Sequence, residues 1–275
     1  MTQNPPPAAS DDDFYIGYLP KAPQAQARTL RNFVILAALL MPILAGALVL
    51  SQRGFSTGTY ELGKLTVVEG IASLKPVPSL KIIDGTDPQG NPIYQTLLLM
   101  SFGKFGAANH LLDFQEQAGR PLEEVVLRLE GTLDYRDGKA LFELTKREKS
   151  LLGISADLSR YDARALRSQV EDLGAVSLQG EIVDPKCYAG TMKPGEGKPH
   201  RSCAIRCISG GIPPVLVTTN EAGQHSYFLL LGPNGAAINE QILDRVADPV
   251  SVQGRLARYD DWYVLYADPQ DIIRI

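Results

Sequence analysis

The chain has 275 residues, 44% of them apolar and 21% charged, with a formal net charge of -4. This balance excludes a disordered tail protein, a collagen-like chain and a polytopic transporter. Lys+Arg 27 against Asp+Glu 31 leaves no basic excess, so nucleic acid is not an expected partner.

Residues 1–20 begin with Pro and Asp clusters that cannot bury a core. The patch FYIGYLPKAP, Phe14 to Pro23, is aromatic and apolar and reads as an interfacial anchor, with docking on a partner subunit as the alternative. From Phe33 to Leu50 eighteen residues run without a charge, enough to cross a hydrocarbon core of about 30 Å. Ala45-Gly46-Ala47 has the small-x-small form of a signal-peptidase site. The long segment before it and the apolar residues after it favour an uncleaved transmembrane anchor. Pro42 inside the run is tolerable in lipid.

Lys21, Arg28 and Arg31 precede the helix, whereas Arg53 and Lys64 follow it. That bias places the N-terminus inside. The expected arrangement is single-pass in a bacterial inner membrane: 1–32 a cytoplasmic tail, 33–50 the transmembrane helix, and everything from Ser51 onward in the periplasm. The lipid bilayer is then the first partner.

With Gly 25 and Pro 19, many short elements are expected after Gly54. Period-two patterns predict strands over 64–74, 94–102, 124–133, 139–145, 176–183, 215–219, 225–231, 249–256 and 262–267. Helical periodicity is expected over 107–117, 155–173 and 238–246. The segment Leu127 to Leu144 overlies Val250 to Ala267 at an offset of 123, pairing Gly131 with Gly254, Leu133 with Leu256, Asp137 with Asp260 and Phe142 with Leu265. Each copy is a hairpin with an acidic turn. Upstream, Gly70 corresponds to Gly180 and Tyr94 to Tyr227. Five short strands with one helix before the closing hairpin resemble the OB-fold. The expected fold is therefore mainly β: one N-terminal transmembrane helix followed by two small OB-like β-barrels with short helices. The barrels are placed at 60–150 and 174–275, with 151–173 as the linker between them.

The second unit is longer between its landmarks, and the extra segment, 184–214, holds all three cysteines. Its chemistry-bearing residues are Cys187, His200, Cys203 and Cys207. Three thiols and an imidazole are the ligand set of a four-coordinate soft-metal site, suiting one zinc, copper or iron ion. His-x-x-Cys-x-x-x-Cys could put Cys203 and Cys207 on one face of a helical turn. His225, at the head of a strand, is an alternative fourth ligand to His200. A disulfide with one thiol left over competes with the metal reading, since thiols are usually paired in an oxidising compartment. So does thiol redox chemistry, favoured by Lys186, Lys193, Lys198, Arg201 and Arg206 but without a Cys-x-x-Cys. Covalent c-type haem fails for lack of Cys-x-x-Cys-His.

Gly180, Ile182, Asp184, Cys187, then Cys203, Ala204, Cys207, Ile208, Gly211 and Pro213 spell Gly-x-Ile-x-Asp-x-x-Cys and Cys-Ala-x-x-Cys-Ile-x-x-Gly-x-Pro. This pattern resembles a module of uncharacterised bacterial exported and membrane-anchored proteins. The resemblance implies a defined site and compartment, and no particular reaction.

His110, Asp11 to Asp13, Asp260-Asp261, Trp262 and Tyr263 read as packing, tail or turn residues. The usual hydrolase, nucleotide and dinucleotide motifs do not occur, so no catalytic residue is assigned. Two functions fit. One is a membrane-anchored periplasmic accessory or interaction subunit of a redox or energy-converting membrane complex, its Cys/His loop stapled by metal or disulfide. The other is a metal-binding or thiol redox protein that handles copper, zinc or electrons at that loop.

Overall fold

The computed structural model describes residues 23–52 and 58–275, and the chain divides into two compact units after Gly54. The aromatic patch at 14–22 and the flanking Lys21 and Arg53 lie outside the described residues. Among the described residues the first unit is one helix, α1 (Gln24–Gln52), with Pro42 inside it. It starts well before the apolar run because Gln, Ala, Arg and Leu at its head are good helix formers. The 26 residues Gln26–Ser51 are long and apolar enough to cross a membrane. At about 1.5 Å per residue they reach roughly 39 Å, beyond the ~30 Å of the hydrocarbon layer. Nothing in that window is buried, unlike the core helix of a soluble protein.

The second unit holds two closed five-stranded barrels. In the first, β1 (Thr59–Tyr60) precedes β2 (Thr66–Ser73), β3 (Ser79–Thr86), β4 (Pro92–Ser101), β5 (Val126–Arg136) and β6 (Lys139–Leu144), and β7 (Leu151–Ser155) follows them. Strands β2, β3, β4, β6 and β5 close on themselves, with β4 and β6 parallel. The second barrel has β8 (Val170–Val183), β9 (Val215–Thr219), β10 (His225–Leu231), β11 (Pro249–Tyr259) and β12 (Trp262–Tyr266), closed in the same order with β10 and β12 parallel. A short β13 (Ile272–Arg274) pairs with β11. Helix α2 (Ala108–Ala118) sits between the third and fourth strands of the first barrel and buries Leu111 and Phe114. The 3₁₀ segment Asn239–Arg245 takes that place in the second and buries Ile242. This is the OB-like arrangement expected of both copies.

The repeat holds at the level of register. Leu133 faces Phe142 and Leu256 faces Leu265; Gly70 faces Leu127 and Gly180 faces Val250; Asp137 and Asp260 share positive φ, 50° and 54°. One pairing is corrected by two residues. Leu98 opposes Leu141 and Leu229 opposes Val264, so Tyr227 stands where the first barrel has Thr96, not Tyr94. Four strands are not among those expected: β3, hidden in a Pro- and Gly-rich stretch, and the short β1, β7 and β13. The expected helix over 155–173 is helical only at α3 (Ala163–Leu166). The segment expected as a linker gives β7 to the first sheet and the start of β8 to the second.

Each barrel has its own apolar core, one around Leu80, Leu97, Leu127 and Phe142, the other around Ile182, Leu216, Leu230 and Val252. A third cluster lies between them, joining Leu98, Met100 and Leu141 to Cys187, Cys207, Tyr227 and Trp262. The barrels embrace reciprocally through equivalent hairpins. Asp137 at the turn of the first accepts from Tyr227 Oη at 2.5 Å. Asp261 at the turn of the second accepts from the Thr96 amide at 3.2 Å.

Candidate metal centre

The β2–β3 connection occupies 74–78, whereas the equivalent β8–β9 connection occupies 184–214 and carries the cysteines. It opens on Asp184, which is fully buried and accepts the Cys187 amide at Oδ1, 3.0 Å away. A π-helical turn follows over Cys187–Thr191. The loop then doubles back so tightly that a Cβ on Gly195 would stand 2.3 Å from the Cys187 carbonyl oxygen.

Helix α4 (Gly197–Ser209) comes next. Pro199 in its first turn suits a position whose N–H has no helical partner, and Gly210-Gly211 followed by Pro213 ends it. Its buried stripe is His200, Ala204, Cys207 and Ile208, at the three- and four-residue spacing of one helical face. Ala204 and Ile208 enter the core of the second barrel, while Cys203 and Cys207 turn to the cluster between the barrels.

The three thiols meet. Cys187 Sγ is 3.8 Å from Cys203 Sγ, and the sulfurs of Cys187, Cys203 and Cys207 all lie within 4.8 Å of one another. Two sulfurs bound to one ion at about 2.3 Å with a tetrahedral angle stand about 3.8 Å apart, so the spacing fits a shared ion. The cysteines are not bonded to each other; Cys187 and Cys207 are buried and Cys203 is partly exposed. Contact with the Cys207 thiol, then burial, pushes the Cys187 thiol well above its ordinary range. A cation at the cluster would replace thiol protons rather than leave bare thiolates in an apolar surround.

His200 is buried and its Nε2 is 3.2 Å from Asp184 Oδ2. With Asp184 and Cys187 it forms a second donor group within 4.8 Å, so Cys187 belongs to both groups. Asp184 thereby ties the two ends of the loop together, holding Cys187 through its amide and His200 through its ring. His225 bonds elsewhere, to Thr219 at 3.0 Å and Arg136 at 3.5 Å. His110 bonds Ser101 at 2.9 Å. Trp262 is buried and donates to the Thr96 carbonyl at 2.9 Å, a packing role.

The first barrel completes the surround. Lys104, on the loop after β4, donates to Cys203 Sγ at 2.7 Å, and this bond raises the lysine pKa. Close approach at glycine sets that loop. The Gly106 amide donates to the Gly210 carbonyl at 3.0 Å, and a Cβ on Gly210 would stand 1.9 Å from the Lys104 carbonyl oxygen. Beside it, Lys186 is buried against Glu143 at 2.7 Å and donates to the Gly103 carbonyl at 2.7 Å. The sequence reading did not reach Lys104, because it comes from the other copy of the repeat. Asp184 was visible there within the Gly-x-Ile-x-Asp pattern.

No protein-family model, curated protein or solved structure matches the chain.

Proposed function

We propose that this chain is a membrane-anchored metal-binding protein whose second barrel holds one thiophilic ion at the Cys187/His200/Cys203/Cys207 loop. The observation that carries the reading is the convergence of three unbonded sulfurs within 4.8 Å. A structural disulfide would need only two of them and a redox thiol only one; three converging thiols serve a metal best. Basic residues before the helix favour a periplasmic site for the barrels. One transmembrane anchor on a chain with such a centre suits an accessory subunit that holds or hands on the ion at a redox or energy-converting membrane complex.

Metal analysis of the full chain, purified in detergent without oxidants or chelators, tests this. We expect one equivalent of metal per chain, lost in Cys187→Ser, with a lowered unfolding temperature in both the variant and the chelated wild type. A metal-free chain whose Cys187 and Cys203 are disulfide-bonded as isolated would sink the reading.

A further inference from the structure

Resting on that reading, we infer that the ion is monovalent copper, held three-coordinate by Cys187, Cys203 and Cys207 alone, with His200 positioning the loop rather than ligating. Three features favour this. The sulfurs form a donor group of their own, within 4.8 Å of one another and without His200. Second, Cys187 and Cys207 belong to the apolar cluster between the barrels, with Met100 and Leu98 of the first barrel in it. The other two donors near Cys187, Asp184 and His200, are engaged with each other at 3.2 Å and form with Cys187 a group that does not include Cys203 or Cys207. Zinc in a structural site takes four, whereas soft thiolates with copper(I) are satisfied by three.

The third feature is Lys104, whose ammonium donates to Cys203 Sγ at 2.7 Å. A protonated amine has no lone pair for a metal. It covers the only partly exposed sulfur with a group that cannot ligate, and its charge offsets part of the two negative charges left when three thiolates bind one monovalent cation. His200 is meanwhile engaged at 3.2 Å with Asp184, which also holds the Cys187 amide. The pair sets where Cys187 stands, as partners behind metal ligands commonly do.

The test is an anaerobic titration of the reduced full chain with copper(I) in competition with a copper(I) chelator, and separately with zinc(II), followed by X-ray absorption of the loaded protein. Copper(I) should bind at one per chain in preference to zinc, with three sulfur neighbours and no nitrogen. His200→Gln keeps a side-chain donor for Asp184 and should leave the stoichiometry and the sulfur count unchanged. Cys203→Ser, at the least buried ligand, should abolish stoichiometric binding. Lys104→Gln should weaken copper(I) binding and leave the sulfur count at three. A nitrogen neighbour that disappears in His200→Gln, or a preference for zinc, would overturn this inference and leave the metal-binding reading standing. A reduced chain that takes up neither ion would overturn both.

Discussion

Asp134 shows how a single side chain can be held away from its ordinary chemistry. It is 2% exposed; Oδ2 accepts from Thr191 at 2.9 Å, and Oδ1 has no hydrogen-bond partner. Burial raises its pKa from 3.8 to about 7, because a carboxylate loses more than a carboxylic acid on leaving water. The folded chain therefore binds this proton more tightly than the unfolded chain. The sign follows: the group's contribution to stability is fully present below about pH 4 and is lost as the pH rises toward about 7. Asp134→Asn keeps an acceptor for Thr191 and removes the titration. Denaturant unfolding across this range should show the wild type losing stability relative to the variant as pH rises. Equal slopes would mean that Asp134 is ionised throughout.

At the scale of elements, two glycines at helix ends separate sterics from backbone strain. Gly210, after α4, has ordinary φ of -77°, yet its Cβ would meet the Lys104 carbonyl oxygen at 1.9 Å. Gly119, after α2, has φ of 63° with nothing within 4 Å of a Cβ. Gly210→Ala must push the Lys104 loop off α4, a packing cost of about 1–3 kcal/mol. It should also speed alkylation of Cys203. Gly119→Ala should cost about 1–2 kcal/mol from its left-handed backbone and leave Cys203 reactivity unchanged. Thermal unfolding with timed alkylation checks both. Equal Cys203 reactivity in the two variants would show that the loop contact does not protect the site.

For the whole molecule, the reciprocal contacts of Asp137 with Tyr227 and Asp261 with Thr96 make one body of two copies. They bring Lys104 of the first barrel to the cysteine loop of the second, so neither copy alone presents the full site. The membrane helix sets where that body works. Fusions of a reporter active only outside the cytoplasm, placed after Ile275, should be active, and the isolated chain should retain its N-terminal residues. A silent reporter would reverse the topology, and an N-terminus near Leu48 would turn the anchor into a cleaved signal.

The sequence by itself determined what depends on local order: the apolar run of α1, the alternating strands, the acidic hairpin turns and the confinement of all three cysteines to one insertion. These are legible because periodicity and turn chemistry act between near neighbours. The full length of α4 was legible too, in the spacing of His200, Ala204, Cys207 and Ile208 and the glycines after Ser209, although the sequence reading reached only one turn of it. Strand β3 was masked by flanking Pro and Gly, and β1, β7 and β13 are too short to show a period. Tertiary structure alone decided the two-residue shift that makes Tyr227 the equivalent of Thr96, since register comes from closing the barrel rather than from residue type. It also decided that His200 bonds Asp184, that this pair and the sulfur group share Cys187, and that a lysine from the other barrel covers Cys203. Those contacts join residues far apart in the chain, and only the packing of the two barrels brings them together.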